Sequence, residues 1–328
     1  MIRIGIVVTE RCQASSVLTM VDMLIAANFA ATQLLGQPQP PFQYRLLGLR
    51  TKATAYNGCV LGPIERLADS PRPDIVLLPG AFEAVLPPEQ MDTLLSRLAA
   101  LYPPLRQWHA DGSVIASVCT GGFLVARAGM SGGRTLTCHW ASAKTAKDLF
   151  PAEIFVTEKL LIDHGDLVSA GGALAVTQLM LYLIQRFHGR ELALATAKLM
   201  MVEPHHDDQS RFAIFSPSRT HGDTVVAALQ ERIERDLHLA IDFHGFAAAK
   251  GITERHLNRR FKKATGETPL GYQQRMRIEQ VKRGLELTKK RMNTLVWESG
   301  YEDMTSFRRL FKRYTGLTMQ AYRSRFAM

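Results

Sequence analysis

The chain has 328 residues, of which 46% are hydrophobic and 21% are charged, and these values predict two globular domains with ordinary buried cores. We expect no membrane span, because the sequence has no run of about 18 or more uncharged apolar residues. The net charge of +10 is uneven, since residues 223–328 carry 21 Lys+Arg against 12 Asp+Glu and residues 1–222 carry 19 against 18. This asymmetry indicates a polyanionic partner for the last third of the chain.

Apolar segments alternate with helical segments over the first 200 residues. The first of them, residues 3–9, is rich in β-branched residues and is predicted to be a buried strand rather than part of a signal peptide. The alternation predicts an α/β domain whose mostly parallel, doubly wound, flavodoxin-like sheet is covered on both faces. Further strands are predicted at 44–49, 75–78, 114–118, 154–157 and 167–169, and helices at 15–35, 89–111, 121–129, 141–149, 173–188 and 190–201.

A polar segment with prolines follows and predicts a linker at 211–222, between an N-terminal domain of residues 1–210 and a C-terminal domain of residues 223–328. Residues 205–208, His-His-Asp-Asp, have side chains that can bind metals but no spaced partner ligands, so we interpret them as a solvated loop. The four cysteines also lack metal or disulfide spacing, which is typical of a reducing, cytoplasmic compartment. We therefore expect neither a metal nor a cofactor. The C-terminal domain is predicted to be all-α, with helices at 223–238, 242–250, 254–265, 269–288, 292–299, 303–315 and 318–325.

A pattern of short helix, glycine, capping residue and basic helix occurs twice in the C-terminal domain, about 50 residues apart. The first helix ends at Gly251 in one copy and at Gly300 in the other. The residue that can cap the next helix is Thr253 in the first copy and Asp303 in the second. This arrangement is typical of the helix-turn-helix motif.

The second helix of each copy is amphipathic. Leu257 and Phe261 in one, and Phe307 and Phe311 in the other, are spaced to anchor the helix to its partner. The opposite face is polar and basic, and arginine and asparagine can read bases while lysine mostly contacts phosphate. The side chains predicted to contact DNA are Arg255, His256, Asn258, Arg259, Lys262, Thr305, Ser306, Arg308, Arg309 and Lys312.

Residues 223–328 resemble the DNA-binding domain of the AraC/XylS family. The match is strongest in Phe-Lys-Lys-Ala-Thr-Gly-Glu-Thr-Pro at 261–269 and in Gly-Tyr-Glu-Asp at 300–303. The resemblance implies seven helices and two helix-turn-helix units whose basic helices enter successive major-groove segments of double-stranded DNA. The sequence departs from the usual family residues at Val296, Trp297 and Met319.

A buried strand, an abrupt turn and a helix are predicted around Cys119. A nucleophile on such an elbow lies at the carboxyl edge of the sheet, where ligands of open α/β sheets bind and where a helix N-terminus can lower a thiol pKa. Backbone N–H groups after the strand at 75–78 and a carboxylate in the first helix are expected at the same edge. The candidate ligand-binding residues are Asp22, Gly80, Ala81, Cys119, Thr120 and His139.

The N-terminal domain resembles the ThiJ/PfpI-like domains of the class I glutamine amidotransferase-like superfamily, and the whole chain resembles the GlxA-type regulators in which such a domain precedes an AraC domain. The matching segments include Cys-Thr-Gly at 119–121 and Ser-Ala-Gly-Gly at 169–172. PfpI-like peptidases generally place histidine directly after the cysteine, whereas this chain has Thr120. Asp22, Cys119 and Thr120 instead resemble the residues that carry the reaction of isonitrile hydratases.

The sequence therefore predicts a transcription regulator, not an enzyme, whose N-terminal domain binds a small metabolite. The resemblance implies a cytoplasmic homodimer without a membrane partner, and RNA polymerase is a further candidate partner. An isonitrile-hydratase-like or other thiol-dependent hydrolase is the main alternative, and a structural or dimerising domain with an inert, buried Cys119 is another.

Overall fold

The computed structural model divides the protein into two compact units, Met1–Gln209 and Ser210–Met328. It describes residues 1–80, 86–172, 174–203, 209–215, 217, 219 and 221–327.

A mostly parallel sheet forms the centre of the N-terminal unit. Within the described residues its seven strands have the order β5-β2-β1-β6-β7-β9-β8, and only β8 runs antiparallel to its neighbour, while β3 and β4 form a separate antiparallel pair. The strands are β1 (Ile2–Val7), β2 (Phe42–Gly48), β3 (Ala53–Thr54), β4 (Val60–Leu61), β5 (Glu65–Arg66), β6 (Ile75–Leu78), β7 (Val114–Val118), β8 (Leu161–Asp163) and β9 (Leu167–Ala170). The helices of this unit are α1 (Ala14–Phe29), α2 (Pro88–Arg97), α3 (Tyr102–Ala110), α4 (Gly121–Arg127), α5 (Ala143–Leu149) and α6 (Ala175–Leu199).

Helices cover both faces of this sheet. In β6, Ile75 and Leu77 belong to the core that includes α1 and α6, whereas Val76 and Leu78 belong to the core that includes α2, α3, α4 and α5. The strand order reverses at β1, which has β2 on one side and β6 on the other. The predicted doubly wound α/β fold is therefore confirmed, and the crevice where such folds bind ligands lies beyond the carboxyl ends of these strands.

Two local predictions in the N-terminal unit differ from the structure. Residues 154–157 form no strand, because only one bridge, between Leu136 and Phe155, pairs this segment. The edge strand β8 takes the place beside β9 instead. The single helix predicted at 89–111 is divided into α2 and α3. By contrast, the break predicted between the helices at 173–188 and 190–201 is confirmed, because Gly189 has a non-helical backbone (φ 86°, ψ 167°) within α6.

The stretch Ala14–Leu34, which contains α1, is long and apolar enough to cross a membrane by length and composition. Half of its most apolar window is buried inside the unit, with Val17, Met20 and Leu24 fully enclosed. This burial is typical of a core helix.

The C-terminal unit is helical throughout the part that the structure describes. Its helices are α7 (Thr224–Arg235), α8 (Phe243–Ala249), α9 (Glu254–Thr265), α10 (Pro269–Leu287), α11 (Met292–Glu298), α12 (Met304–Thr315) and α13 (Met319–Phe326). The predicted all-α domain is therefore confirmed, and the helix ends lie close to those predicted.

The first residues of the predicted linker pack on the helical unit. The Phe215 ring lies 5.4 Å from the Tyr272 ring in an edge-to-face contact, and the Phe212 ring lies 5.7 Å from that of Phe326. Lys282 Nζ also donates a hydrogen bond to the Ala213 carbonyl at 2.6 Å. Aromatic packing thus attaches this segment to the C-terminal unit.

Candidate functional site

The first helix-turn-helix unit consists of α8, a turn through Gly251, and α9. Thr253 caps α9, because its side chain accepts a hydrogen bond from the His256 backbone N–H at 3.2 Å. Leu257 and Phe261 are fully buried, and the Phe261 ring packs edge-to-face on Tyr272. Burial of Leu257 and Phe261 therefore leaves the polar face of α9 directed away from the core.

The second unit, α11 and α12, repeats this geometry. Asp303 caps α12 by accepting hydrogen bonds from the backbone N–H groups of Thr305 and Ser306 at 2.8 and 3.2 Å. Gly300 makes the turn at φ 82°, and a Cβ at this position would lie 2.2 Å from the His238 carbonyl oxygen. Both the backbone angle and the close approach therefore require glycine here.

The two basic helices present their polar residues at equivalent positions. Counted from the capping residue, each predicted DNA contact in α9 has a counterpart 50 residues later in α12. All of these residues are exposed except Asn258, which is half-buried. The equivalent pairs are Arg255 and Thr305, His256 and Ser306, Asn258 and Arg308, Arg259 and Arg309, and Lys262 and Lys312.

Two contacts refine this candidate interface. Ser306 Oγ donates to Asp303 Oδ2 at 2.5 Å, so this hydroxyl also serves the helix cap. Arg260 is turned away from the basic face and pairs with Asp223 at the start of α7. Two exposed basic residues in the last turns, Lys263 and Arg313, extend the basic surface beyond the predicted set.

The three unusual residues of the second unit fit its packing. Val296 and Met319 are 0% and 5% exposed and belong to the same core as Phe307 and Phe311. The large side chain of Trp297 is 62% exposed and so requires no space in this core.

The elbow around Cys119 lies between β7 and α4 at the carboxyl edge of the sheet. Cys119 has φ 58°, a left-handed backbone conformation that is rare for a residue with a side chain. The residue after Thr120 must be glycine, because a Cβ on Gly121 would lie 2.3 Å from the Leu78 carbonyl oxygen. Three predicted residues meet here, since a Cβ on Gly80 would lie 3.1 Å from Cys119 Cβ and 3.5 Å from Thr120 Oγ1.

The thiol of Cys119 is not activated by its surroundings. Its side chain is almost fully buried, and this desolvation raises the pKa to about 11, although hydrogen bonds with Thr120 oppose the rise. Burial also raises the pKa of the neighbouring Cys138, and the charge of Cys119 adds to that rise. A helix N-terminus can lower a thiol pKa, but desolvation is the larger effect on Cys119 and raises its pKa instead.

His139 lies beside Gly172, where an added Cβ would be 3.4 Å from its Cδ2. Its Nδ1 accepts a hydrogen bond from the Ala141 backbone N–H at 3.0 Å, and burial lowers the pKa of the ring. The neutral ring therefore carries its proton on Nε2, which leaves no free lone pair to deprotonate a thiol.

The remaining predicted residues lie apart from the elbow or outside the described residues. The backbone N–H of Gln13, next to the start of α1, donates to the Gly80 carbonyl oxygen at 2.9 Å, so the elbow faces the N-terminus of α1. Asp22 is exposed and lies eight residues after Ala14, about 12 Å along the helix from its first turn. Ala81 and the 205–208 segment belong to the part of the chain that the structure does not describe.

A cavity of about 580 Å³ opens at the same edge of the sheet, beside the ends of β1 and β2 and the end of α2. None of the predicted ligand-binding residues lines it. Sequence patterns did not indicate this cavity, because its walls come from three segments that are far apart in the chain.

Two family models match the chain. A helix-turn-helix domain model matches residues 246–325, which contain both basic helices, and the DJ-1/PfpI family model matches residues 63–186, which contain the elbow.

Two transcriptional regulators and one enzyme align with more than half of the chain. The HTH-type transcriptional regulator GbdR of Pseudomonas aeruginosa is 28% identical over 210 residues, which are 63% of this chain and 56% of GbdR. The HTH-type transcriptional regulator GlxA of Rhizobium meliloti is 24% identical over 235 residues, 69% of this chain and 70% of that protein. The isonitrile hydratase of Pseudomonas putida is 29% identical over 199 residues, 60% of this chain and 79% of the hydratase. The chain thus spans just over half the length of GbdR.

Solved structures match the N-terminal fold. A candidate transcriptional regulator protein from Vibrio parahaemolyticus has a TM-score of 0.51 at 20% identity, covering 61% of this chain and 98% of that one. A mutant of a DJ-1 superfamily protein from Salmonella typhimurium has a TM-score of 0.50 at 16% identity, covering 62% and 100%. Both resemblances drawn from the sequence are confirmed, since residues 63–186 match the DJ-1/PfpI family model and residues 246–325 match a helix-turn-helix domain model.

Proposed function

We propose that the protein is a sequence-specific DNA-binding transcription regulator. The observation that carries this proposal is the repeated polar face of α9 and α12, with equivalent residues 50 positions apart and exposed on both helices. Burial of Phe261 and Phe311 fixes each helix by its opposite side, so the basic side chains are free to enter a major groove. The relatives named as HTH-type transcriptional regulators support the same conclusion.

The N-terminal unit in this proposal binds a small molecule and does not transform it. The Cys119 thiol is protonated at neutral pH, and the ring of His139 is committed to a backbone hydrogen bond. Asp22, the carboxylate expected to assist, is exposed on α1 away from the elbow. The pocket edge of an enzyme-like fold thus remains available for sensing.

The partners follow from this role. A homodimer would present four helix-turn-helix units to DNA, and RNA polymerase would be contacted at the promoter. The protein would act in the cytoplasm, where the DNA is.

A gel-shift titration of the full chain with the DNA upstream of its own gene tests the proposal. We expect a specific complex that weakens steeply as salt rises, because lysine and arginine contacts with phosphate release counterions. Binding that is indifferent both to salt and to the sequence of the fragment would contradict it.

A thiol-dependent hydrolase is the second candidate, favoured by the alignment with isonitrile hydratase. It requires the full chain to convert isonitriles and the Cys119→Ser variant to be inactive. We expect no turnover by either protein, and Cys119-dependent turnover would support the hydrolase instead.

A further inference from the structure

The cavity beside β1 and β2 is positively charged, whereas the N-terminal domain as a whole is nearly neutral. Four basic residues line it, Arg11, Arg50, Lys52 and Arg97, against a single carboxylate, that of Glu10. Residues 1–222 carry 19 Lys+Arg against 18 Asp+Glu, so this concentration of positive charge is local. A concave site with one sign of charge attracts ligands of the opposite sign.

Hydrogen bonds to β3 fix the loop that carries two of these charged residues. Arg11 has φ 60°, and its backbone N–H donates to the Thr54 carbonyl oxygen at 2.8 Å. The Thr54 backbone N–H in turn donates to Glu10 Oε2 at 3.0 Å. Uncommon backbone conformations that the surrounding structure holds in place cluster at ligand-binding sites.

The carboxylate that lines the cavity, that of Glu10, already has partners within the protein. Glu10 Oε2 accepts the Thr54 hydrogen bond, and Arg50 Nη1 lies 3.8 Å from Glu10 Oε1. Among the described residues, no carboxylate lies within salt-bridge distance of Lys52 or Arg97. These two cations are therefore available to an anion.

The rest of the wall limits the size and character of that anion. Leu49, Leu94 and Leu98 supply apolar surface between the charged groups. A volume of about 580 Å³ is in the range of cavities that enclose small molecules. The position beyond the carboxyl ends of β1 and β2, next to the reversal of strand order, is where open α/β sheets bind ligands.

We propose that this cavity, and not the Cys119 elbow, binds a small organic dianion, either a dicarboxylate or a phosphate monoester, with a short aliphatic part. The assignment of this cavity as the effector site rests on the proposed function, whereas the binding of a dianion to it does not. The anionic groups contact the side chains of Lys52 and Arg97, and the aliphatic part lies on Leu94 and Leu98.

Isothermal titration calorimetry of the full chain, in a buffer without phosphate, tests the site. Glutarate and glycerol 3-phosphate are the two probes, and glutaramide and glycerol are their uncharged counterparts. We expect at least one dianion to bind and neither uncharged compound to do so. The Lys52→Gln/Arg97→Gln variant should bind that dianion about tenfold more weakly.

Two further variants separate this effect from a change in folding or in net charge. Lys147→Gln/Lys198→Gln removes the same charge from exposed positions outside the cavity and should bind like the unchanged protein. Glu10→Gln retains a side-chain oxygen for the Thr54 hydrogen bond but removes the negative charge, so it should bind the dianion more tightly. An increase in affinity cannot result from unfolding.

The inference is overturned if neither dianion binds, or if the cavity variant and the control variant bind equally. DNA binding is measured separately by gel shift. Dianion binding without DNA binding would support this inference and contradict the proposed function. DNA binding without dianion binding would contradict this inference and support the proposed function.

Discussion

At the scale of single residues, Cys119 shows how burial and position act against each other. The elbow gives this residue the strained backbone of a nucleophile, at φ 58° before the first turn of α4. Burial nevertheless raises the thiol pKa to about 11, so the thiolate is scarce near neutral pH. The elbow geometry could be predicted from the sequence around 119–121, but the protonation state could not, because it depends on residues from other strands.

Cys119 should therefore react slowly with iodoacetamide at pH 7.5, and its rate should rise as the pH approaches 11, because only the thiolate attacks. Mass spectrometry of the alkylated peptides measures this rate. Cys59, which is exposed, serves as the internal reference and should be modified first. Preferential labelling of Cys119 at neutral pH would show that its thiol is activated.

Arg259 and Arg309 occupy equivalent positions on α9 and α12, so replacing each by alanine compares the two units directly. We expect each change to cost roughly 1–3 kcal/mol of binding free energy with a specific DNA site. Fluorescence anisotropy measures both affinities, and Arg190→Ala, an equal loss of charge on α6, should have little effect. Equal losses in all three variants would show that only the total charge matters.

At the scale of elements, the sequence predicts the C-terminal helices better than the sheet edges. Thr253, Asp303, Thr268 and Thr318 cap their helices through hydrogen bonds to residues two or three positions later, so these signals are local. The strands β3, β4, β5 and β8 were not predicted, because they have two or three residues each and exist through pairing with distant segments. The β-propensity of residues 154–157 predicted a strand, but this segment forms a single bridge because neighbouring segments do not pair with it further.

Asp223 joins two elements, since its side chain caps α7 and pairs with Arg260 on α9. Asp223→Ala should lower the free energy of unfolding of the C-terminal unit by about 1 kcal/mol through loss of the cap. Asp223→Asn can still accept the Val225 and Val226 hydrogen bonds and should lose less. Urea denaturation followed by circular dichroism measures both, and equal losses would show that the cap contributes nothing.

Asp223 should also make the free energy of unfolding depend on pH in the acid range. The hydrogen bond from Arg260 lowers the pKa of Asp223 below that of an ordinary carboxyl group. The contribution of Asp223 to the free energy of unfolding is therefore complete above the pKa of an ordinary carboxyl group. It is lost as the pH falls through the lowered pKa of Asp223. Asp223→Asn should flatten this acid dependence relative to the unchanged protein, and identical profiles for the two proteins would contradict the assignment.

At the scale of the whole molecule, charge and fold are divided between the two units. The N-terminal unit is nearly neutral, and the excess of lysine and arginine lies in the helical unit with its two basic helices. This division could be predicted from composition and from the repeated pattern, which depend on nearby residues. The cavity beside β1 and β2 could not, because its lining comes from segments around residues 8–11, 49–53 and 94–98 that only the fold brings together.

Selection of DNA sites from a random pool by the full chain measures whether the two basic helices read a DNA sequence. We expect an enriched site in which each half-site has two conserved segments about 10–10.5 base pairs apart, one for each basic helix of a protomer. Replacing Arg255 and Arg259 should erase the preference at one segment, and replacing Arg308 and Arg309 should erase it at the other. A pool without an enriched sequence, or an enriched sequence that survives both replacements, would show that α9 and α12 do not read the DNA sequence.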